Sequence, residues 1–196
     1  MPRLHAALFG TLIGLSCVLT ACSSDVPPAG TSPSAATPSS IATPSVSASV
    51  DPSADPLYLE AVDVYKKYFA EMQKFEAAGY PSKTLPTSMT QYMTAPAIAD
   101  LQNAVQASLA SHAIPAKGSA SQLTAIAPNP GVSMGKSVVS ARFCVDGRSA
   151  KVIDSQTGET LRPGVLAEKE VFFEESTGSL KISDVEAKVV DKCTIA

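Results

Sequence analysis

From Pro56 onward the apolar positions follow two different rhythms. In "PLYLEAVDVYKKYFAEMQKFEAAGY", Tyr58, Val62, Tyr65, Phe69 and Met72 recur at spacings of three and four, while Glu60, Asp63, Lys66, Lys67, Glu71 and Lys74 take the other sides. That period predicts an amphipathic helix. Asp55 before Pro56 supplies an N-cap and a first-turn proline, and Gly79 followed by Tyr80-Pro81 supplies a stop. "LPTSMTQYMT" predicts a short helical turn. "APAIADLQNAVQASLASHAI" then sets Ile98, Leu101, Val105, Leu109 and His112 on one stripe, a second helix that starts near Thr94 and Pro96 and stops by Pro115 and Gly118.

After Gly118 the period becomes two. Val139, Ala141, Phe143 and Val145 alternate with Ser140, Arg142 and Cys144, which predicts a half-buried strand closed by an Asp146-Gly147 turn, with Cys144 on its polar side. "VLAEKEVFFEESTGSLKISDVEAKVV" predicts a long hairpin around Thr177-Gly178. Pairing Ser176 with Ser179 puts Phe173 opposite Ile182. A one-residue bulge near Ser183-Asp184 then sets Val171 opposite Val185 and Ala167 opposite Val189, which keeps one inner face apolar. Residues 148–163 predict a turn-rich excursion, and residues 117–127 a weaker first strand. Helices first and antiparallel strands afterwards make an α+β domain, with N-terminal helices packed on one face of a curved antiparallel sheet, over residues 55–196.

The chain ahead of this domain has a different pattern. Residues 1–21 begin with Arg3, continue through an apolar run from about Ala6 to Leu19 and end in small residues, the layout of an export signal; the run is too short for a bilayer span. Residues 22–54 are dominated by Ser, Ala, Thr and Pro without an aromatic residue, so they cannot bury enough apolar area to offset ordering and read as a disordered tether. Leu19-Thr20-Ala21-Cys22 resembles the lipobox of bacterial lipoproteins. The resemblance implies a signal peptide cut before Cys22, a diacylglycerol (palmitate-type) anchor on its sulfur, and residence on the outer, extracytoplasmic face of the cell membrane.

Charge narrows the partners. The 15 Lys and Arg against 18 Asp and Glu give a net charge of −3, and losing residues 1–21 removes only Arg3, taking it to −4. Without basic clusters, nucleic acid is a poor partner, as is a polybasic route to the membrane surface.

The element order, with "QYMT" before the second helix, "CVDGRS" closing a strand and "DSQTGE" in the excursion, is similar to actinobacterial lipoproteins bearing the cone-shaped domain named after nuclear transport factor 2. The resemblance implies a pocket between helix and sheet, but no activity, because that fold hosts enzymes and binding modules alike.

Cys17 leaves with the signal and Cys22 is taken by lipid, so Cys144 and Cys193 remain to form a disulfide in an exported domain. A redox-active pair would want C-x-x-C spacing. Cys193 shares parity with the inward Val185 and Val189, so the bond requires the chain to leave the ladder near Asp191. His112 is the sole histidine outside the signal and reads as a helix-end capping or packing residue. No catalytic set, metal site or cofactor motif is visible. Tyr65, Phe69, Phe143, Lys169 and Phe173 are the candidates for a pocket wall. The simpler reading makes the aromatics core and lets Lys169 snorkel to water. The expected function is non-enzymatic, binding an envelope protein or a small apolar ligand; the alternative is a small hydrolase, isomerase or dehydratase on the same fold.

Overall fold

The computed structural model describes residues 51–195. The expected signal peptide, the expected lipid attachment at Cys22 and the predicted tether up to residue 50 lie outside the described residues. Asp51 caps a 3-10 turn over Pro52–Ala54, accepting from the Ser53 amide, so the described fold begins four residues before Asp55.

Helix α1 spans Pro56–Ala77, with the Asp55 carboxylate accepting from the Leu57 amide as the N-cap pattern predicts. It buries more than the predicted stripe: Ala61, Val64, Tyr68 and Phe75 join Tyr58, Tyr65, Phe69 and Met72, because neighbours cover it on two sides. Helix α2 is a single turn, Thr87–Thr90, and α3 runs Ala95–Ala110. In α3 only Ala97 and Val105 are fully buried. His112 falls outside the helix in a left-handed conformation, φ 60°, with its ring exposed near Ser155 and Gln156.

The strands are β1 (Ala113–Pro115), β2 (Gln122–Pro128), β3 (Val139–Asp146), β4 (Lys151–Asp154), β5 (Thr160–Pro163), β6 (Leu166–Ser176) and β7 (Ser179–Val189). They form two antiparallel sheets, β2-β3-β6-β7 and a small β1-β4-β5, where one sheet was expected. The excursion over residues 148–163 therefore carries β4 and β5. Their alternation is too short to stand out; β4 pairs with β1, the short strand that follows α3, on one side and with β5 on the other.

The hairpin matches the predicted register. Ser176 pairs with Ser179, Phe173 with Ile182, Val171 with Val185 and Ala167 with Val189, with the irregularity between Phe172 and Phe173 absorbing Ser183. Thr177 and Gly178 both have positive φ, the backbone of the tight hairpin turn whose twist suits the strands. The bulge has a physical use. At Ile182 the β7 edge stops facing solvent and pairs with the chain before α3: the Ile182 amide donates to the Tyr92 carbonyl and the Thr94 amide to the Ile182 carbonyl. That contact covers an edge otherwise open to further pairing.

The core lies between α1 and the inner face of the large sheet, centred on Tyr65, Phe143, Val171, Phe173 and Ile182. Cys144 does point to the other face, yet it is buried rather than solvated. After β7 the chain leaves the ladder and folds back across the outer face, where Ile195 packs with Cys144, Ala127 and Leu166. Parity gave the direction of Cys144, and the tail supplies the cover that strand periodicity could not foresee. Cys144 and Cys193 are joined as a disulfide with Cα atoms 6.1 Å apart, within the usual span of such bonds.

Candidate functional site

Following the inner face of β6 away from the hairpin turn, Phe173 and Val171 are sealed under α1, and the next inward residue is Lys169. It sits in a cross-strand row between Phe143 and Ala187. Over this end of the sheet the helices do not close. A cavity of about 410 Å3 opens between α1, α3 and the far half of β7. The incomplete burial of α3 has the same cause, since Leu101, at the edge of the core, and Ala104 both line the cavity.

Its walls divide by chemistry. Phe69, Met72, Met93, Ala97, Leu101 and Val145 give an apolar surface, and Val185 and Ala187 extend it along β7. Asp100 on the exposed side of α3 and Asp184 on β7 add carboxylates. The remaining polar lining is Tyr68, Glu76, Tyr80 and Lys169. Three of these, Glu76, Tyr80 and Lys169, also line a second chamber of about 210 Å3 toward the β4–β5 hairpin, so they stand on the wall between two spaces.

Local structure fixes this group. Glu76 is on α1 one turn beyond Met72, and its Oε2 accepts from the Ser121 amide at 3.0 Å. The Gln73 side chain donates to the Ser121 carbonyl at 2.7 Å, so the start of β2 is clamped to α1 from both sides. α1 ends at Ala77 in a tight reversal: Gly79 has φ 73°, and a Cβ there would meet the Pro115 carbonyl oxygen at 3.2 Å. Tyr80 follows with φ 53°, a left-handed conformation that costs a non-glycine residue roughly 1 kcal/mol. The reversal turns the Tyr80 ring back to stack on Phe75, centroids 5.2 Å apart, and onto the cavity wall.

Electrostatics follow from burial. Desolvation holds the Lys169 ammonium below the ordinary lysine range, with the Glu76 charge working in the opposite direction. Lys169 keeps some accessible area because the cavity has a mouth, yet its surroundings are crowded with protein. Among the described residues, no carboxylate lies within 4.0 Å of its ammonium. Burial pushes the Tyr80 hydroxyl up to about 12, helped by the Glu76 charge, and burial and the same charge raise Tyr68. Both phenols therefore stay protonated at neutral pH and remain donors.

Of the five residues read from the sequence as a pocket wall, the structure brings Phe69 and Lys169 to the cavity and places Tyr65, Phe143 and Phe173 in the sealed core beside it. The Tyr65 ring lies 3.7 Å from that of Phe143, and its hydroxyl is buried without a partner. Lys169 does not reach past the sheet rim into open water. Glu76, Tyr68 and Tyr80 were not singled out by the sequence reading. Glu76 had a signal, since it extends the Phe69–Met72 stripe at the next helical step, an acid on the face that should be apolar. Asp63, by contrast, is solvated and pairs with Lys67. Among the described residues no group of His, Cys, Asp or Glu gathers that could hold a metal, and no helix is long and apolar enough to cross a membrane.

No protein-family model matches the chain, and no curated protein does either. Among solved structures, the 1.8 Å structure of Aln2 from a Streptomyces species superposes with a TM-score of 0.42 at 13% identity, covering 69% of this chain and 92% of that one. A likeness that low carries no functional argument.

Proposed function

We propose that this chain is a lipid-anchored extracytoplasmic receptor of the cone-shaped, nuclear-transport-factor-2-like type, which holds a small, largely apolar ligand between α1, α3 and β7. The observation that carries this reading is the cavity itself. It falls within the range of about 300–1,000 Å3 usual for small-molecule sites, and an apolar wall with a few convergent polar groups is the usual composition of such sites. Anchoring rests on Leu19-Thr20-Ala21-Cys22 and the Ser/Pro-rich tract behind it, which would hold the domain clear of the bilayer.

The test uses the full chain purified from its native membrane. Organic extraction and mass spectrometry should recover one apolar molecule in near-stoichiometric amount. Filling the cavity from α3 with Ala104→Trp should abolish its recovery while the variant stays folded. Recovery of nothing from the unaltered protein, or equal recovery from both, would count against the reading. Cys22→Ala should move the protein from the membrane to the soluble fraction; persistence in the membrane would remove the anchor.

A second reading, an enzyme on the same fold, is favoured by Glu76. It is an interior carboxylate whose charge reaches Lys169, Tyr68 and Tyr80, although no hydrogen bond joins it to any of the three.

A further inference from the structure

We propose that Lys169 captures the ligand covalently and reversibly as an imine, so that the molecule the cavity accepts is an aldehyde or ketone with an apolar body. The inference rests on the ligand-binding reading above and adds a chemical class to it.

The lining decides between the two kinds of ligand that a buried amine could hold. An anion would pair with the ammonium, but the same cavity presents Glu76 on α1, Asp100 on α3 and Asp184 on β7, three carboxylates against one lysine. That balance repels an anion and leaves a neutral carbonyl unopposed. The amine is also free to act: among the described residues it has no ion-pair partner, and its burial favours the neutral, nucleophilic form against the opposing pull of the Glu76 charge.

The neighbours supply the proton handling. Attack of the Lys169 nitrogen on the carbonyl carbon forms the C–N bond, and the carbonyl oxygen gains a proton from a phenol, Tyr68 or Tyr80. The nitrogen loses one proton to the Glu76 carboxylate through a bridging water, since no carboxylate lies within 4.0 Å of the amine, and the carboxylate returns it to the phenolate the same way. Loss of the hydroxyl as water, with a second nitrogen proton carried the same way, leaves the C=N bond. The balance is amine plus carbonyl giving imine plus water, with no oxidant or reductant, and water entering through the mouth reverses it. The fixed Glu76 Oε2–Ser121 contact leaves the other carboxylate oxygen, among the described residues, without a protein partner and open to this exchange.

The test is reductive trapping. The full chain is incubated with cinnamaldehyde or nonanal and sodium cyanoborohydride at sub-stoichiometric labelling, and the modified lysines are mapped by peptide mass spectrometry. Lys169 should carry about tenfold or more label per residue than the exposed Lys66 and Lys83, because the cavity holds the aldehyde beside it at an effective concentration above that in bulk. The comparison is internal to the unaltered protein, so it does not depend on a variant folding. Lys169→Arg should remove the enriched site and leave the surface labelling. Label spread evenly over the lysines would overturn the inference. Cinnamyl alcohol and nonanol, which cannot form imines, separate the two readings: if they raise the melting temperature while Lys169 stays unenriched, the receptor stands and the carbonyl chemistry falls. If neither alcohol nor aldehyde engages the cavity, both fall.

Discussion

The two ends of the β6–β7 ladder are built from the same alternation and held in opposite ways. At the turn end, Phe173, Ile182 and Leu180 are sealed under the first half of α1, and the Leu180 amide is tied to the Glu60 carboxylate. At the open end the corresponding inner positions are Lys169, Ala187 and Val189, and Val189 is 66% exposed. The turn end is held by packing on the inner face. The open end has a cavity there and is held from behind, where the tail crosses the outer face, Cys193 bonds to Cys144 and the Thr194 amide donates to Glu168. A sheet end that gives up its inner packing to a cavity keeps its shape through a covalent staple on the opposite face.

The sealed end should respond most strongly to substitution. Phe173→Ala should destabilise by about 3–5 kcal/mol, read by urea unfolding, because a fully buried ring leaves a cavity the neighbours cannot fill. A loss below about 1 kcal/mol would mean that this end is no better packed than the other. Next comes the staple. Cys144→Ser with Cys193→Ser should cost roughly 2–4 kcal/mol, close to the loop-entropy value for a separation of 49 residues, and should loosen amide exchange at Leu166–Lys169 before it reaches Phe173.

Lys169→Met should go the other way, stabilising by about 1 kcal/mol at neutral pH, since it replaces a desolvated cation with an apolar chain of similar length. The sign follows from the depressed pKa. Where both folded and unfolded lysines are charged, burial carries its full cost; that cost falls as pH rises through the folded value and is gone above the unfolded value near 10.5. The advantage of Met should therefore shrink toward pH 10.5, and a gain independent of pH would point to packing instead. Smallest of all, Val189→Thr should change stability by less than about 0.5 kcal/mol, although Val189 has the same parity as Phe173.

Parity is also where legibility ended. The register of the hairpin, including the bulge at Ser183, followed from requiring one apolar face, and the ends of α1 followed from Asp55, Pro56 and Gly79. The strands β4 and β5 did not, because four residues contain too little alternation and the partner of β4 is a three-residue strand that begins just after α3 stops. The cavity was half legible for a related reason. Periodicity says that Phe69, Phe143, Lys169 and Phe173 face inward, but whether a helix covers them depends on how far α3 stands from the sheet, which is set by the Tyr92–Thr94 contact with Ile182. Glu76 could have been found as a charged residue on an apolar stripe. Tyr80 could not, since its place on the wall comes from a left-handed backbone that favours residues other than tyrosine.

Whether the open end is a built site or an underfilled core is decided by titration with 1-aminoanthracene, a neutral apolar fluorophore. One molecule should bind per folded chain, with blue-shifted emission, abolished by Ala104→Trp on the cavity wall and unchanged by Val138→Trp on the exposed loop before β3. No saturable binding, or binding that Ala104→Trp leaves intact, would contradict it.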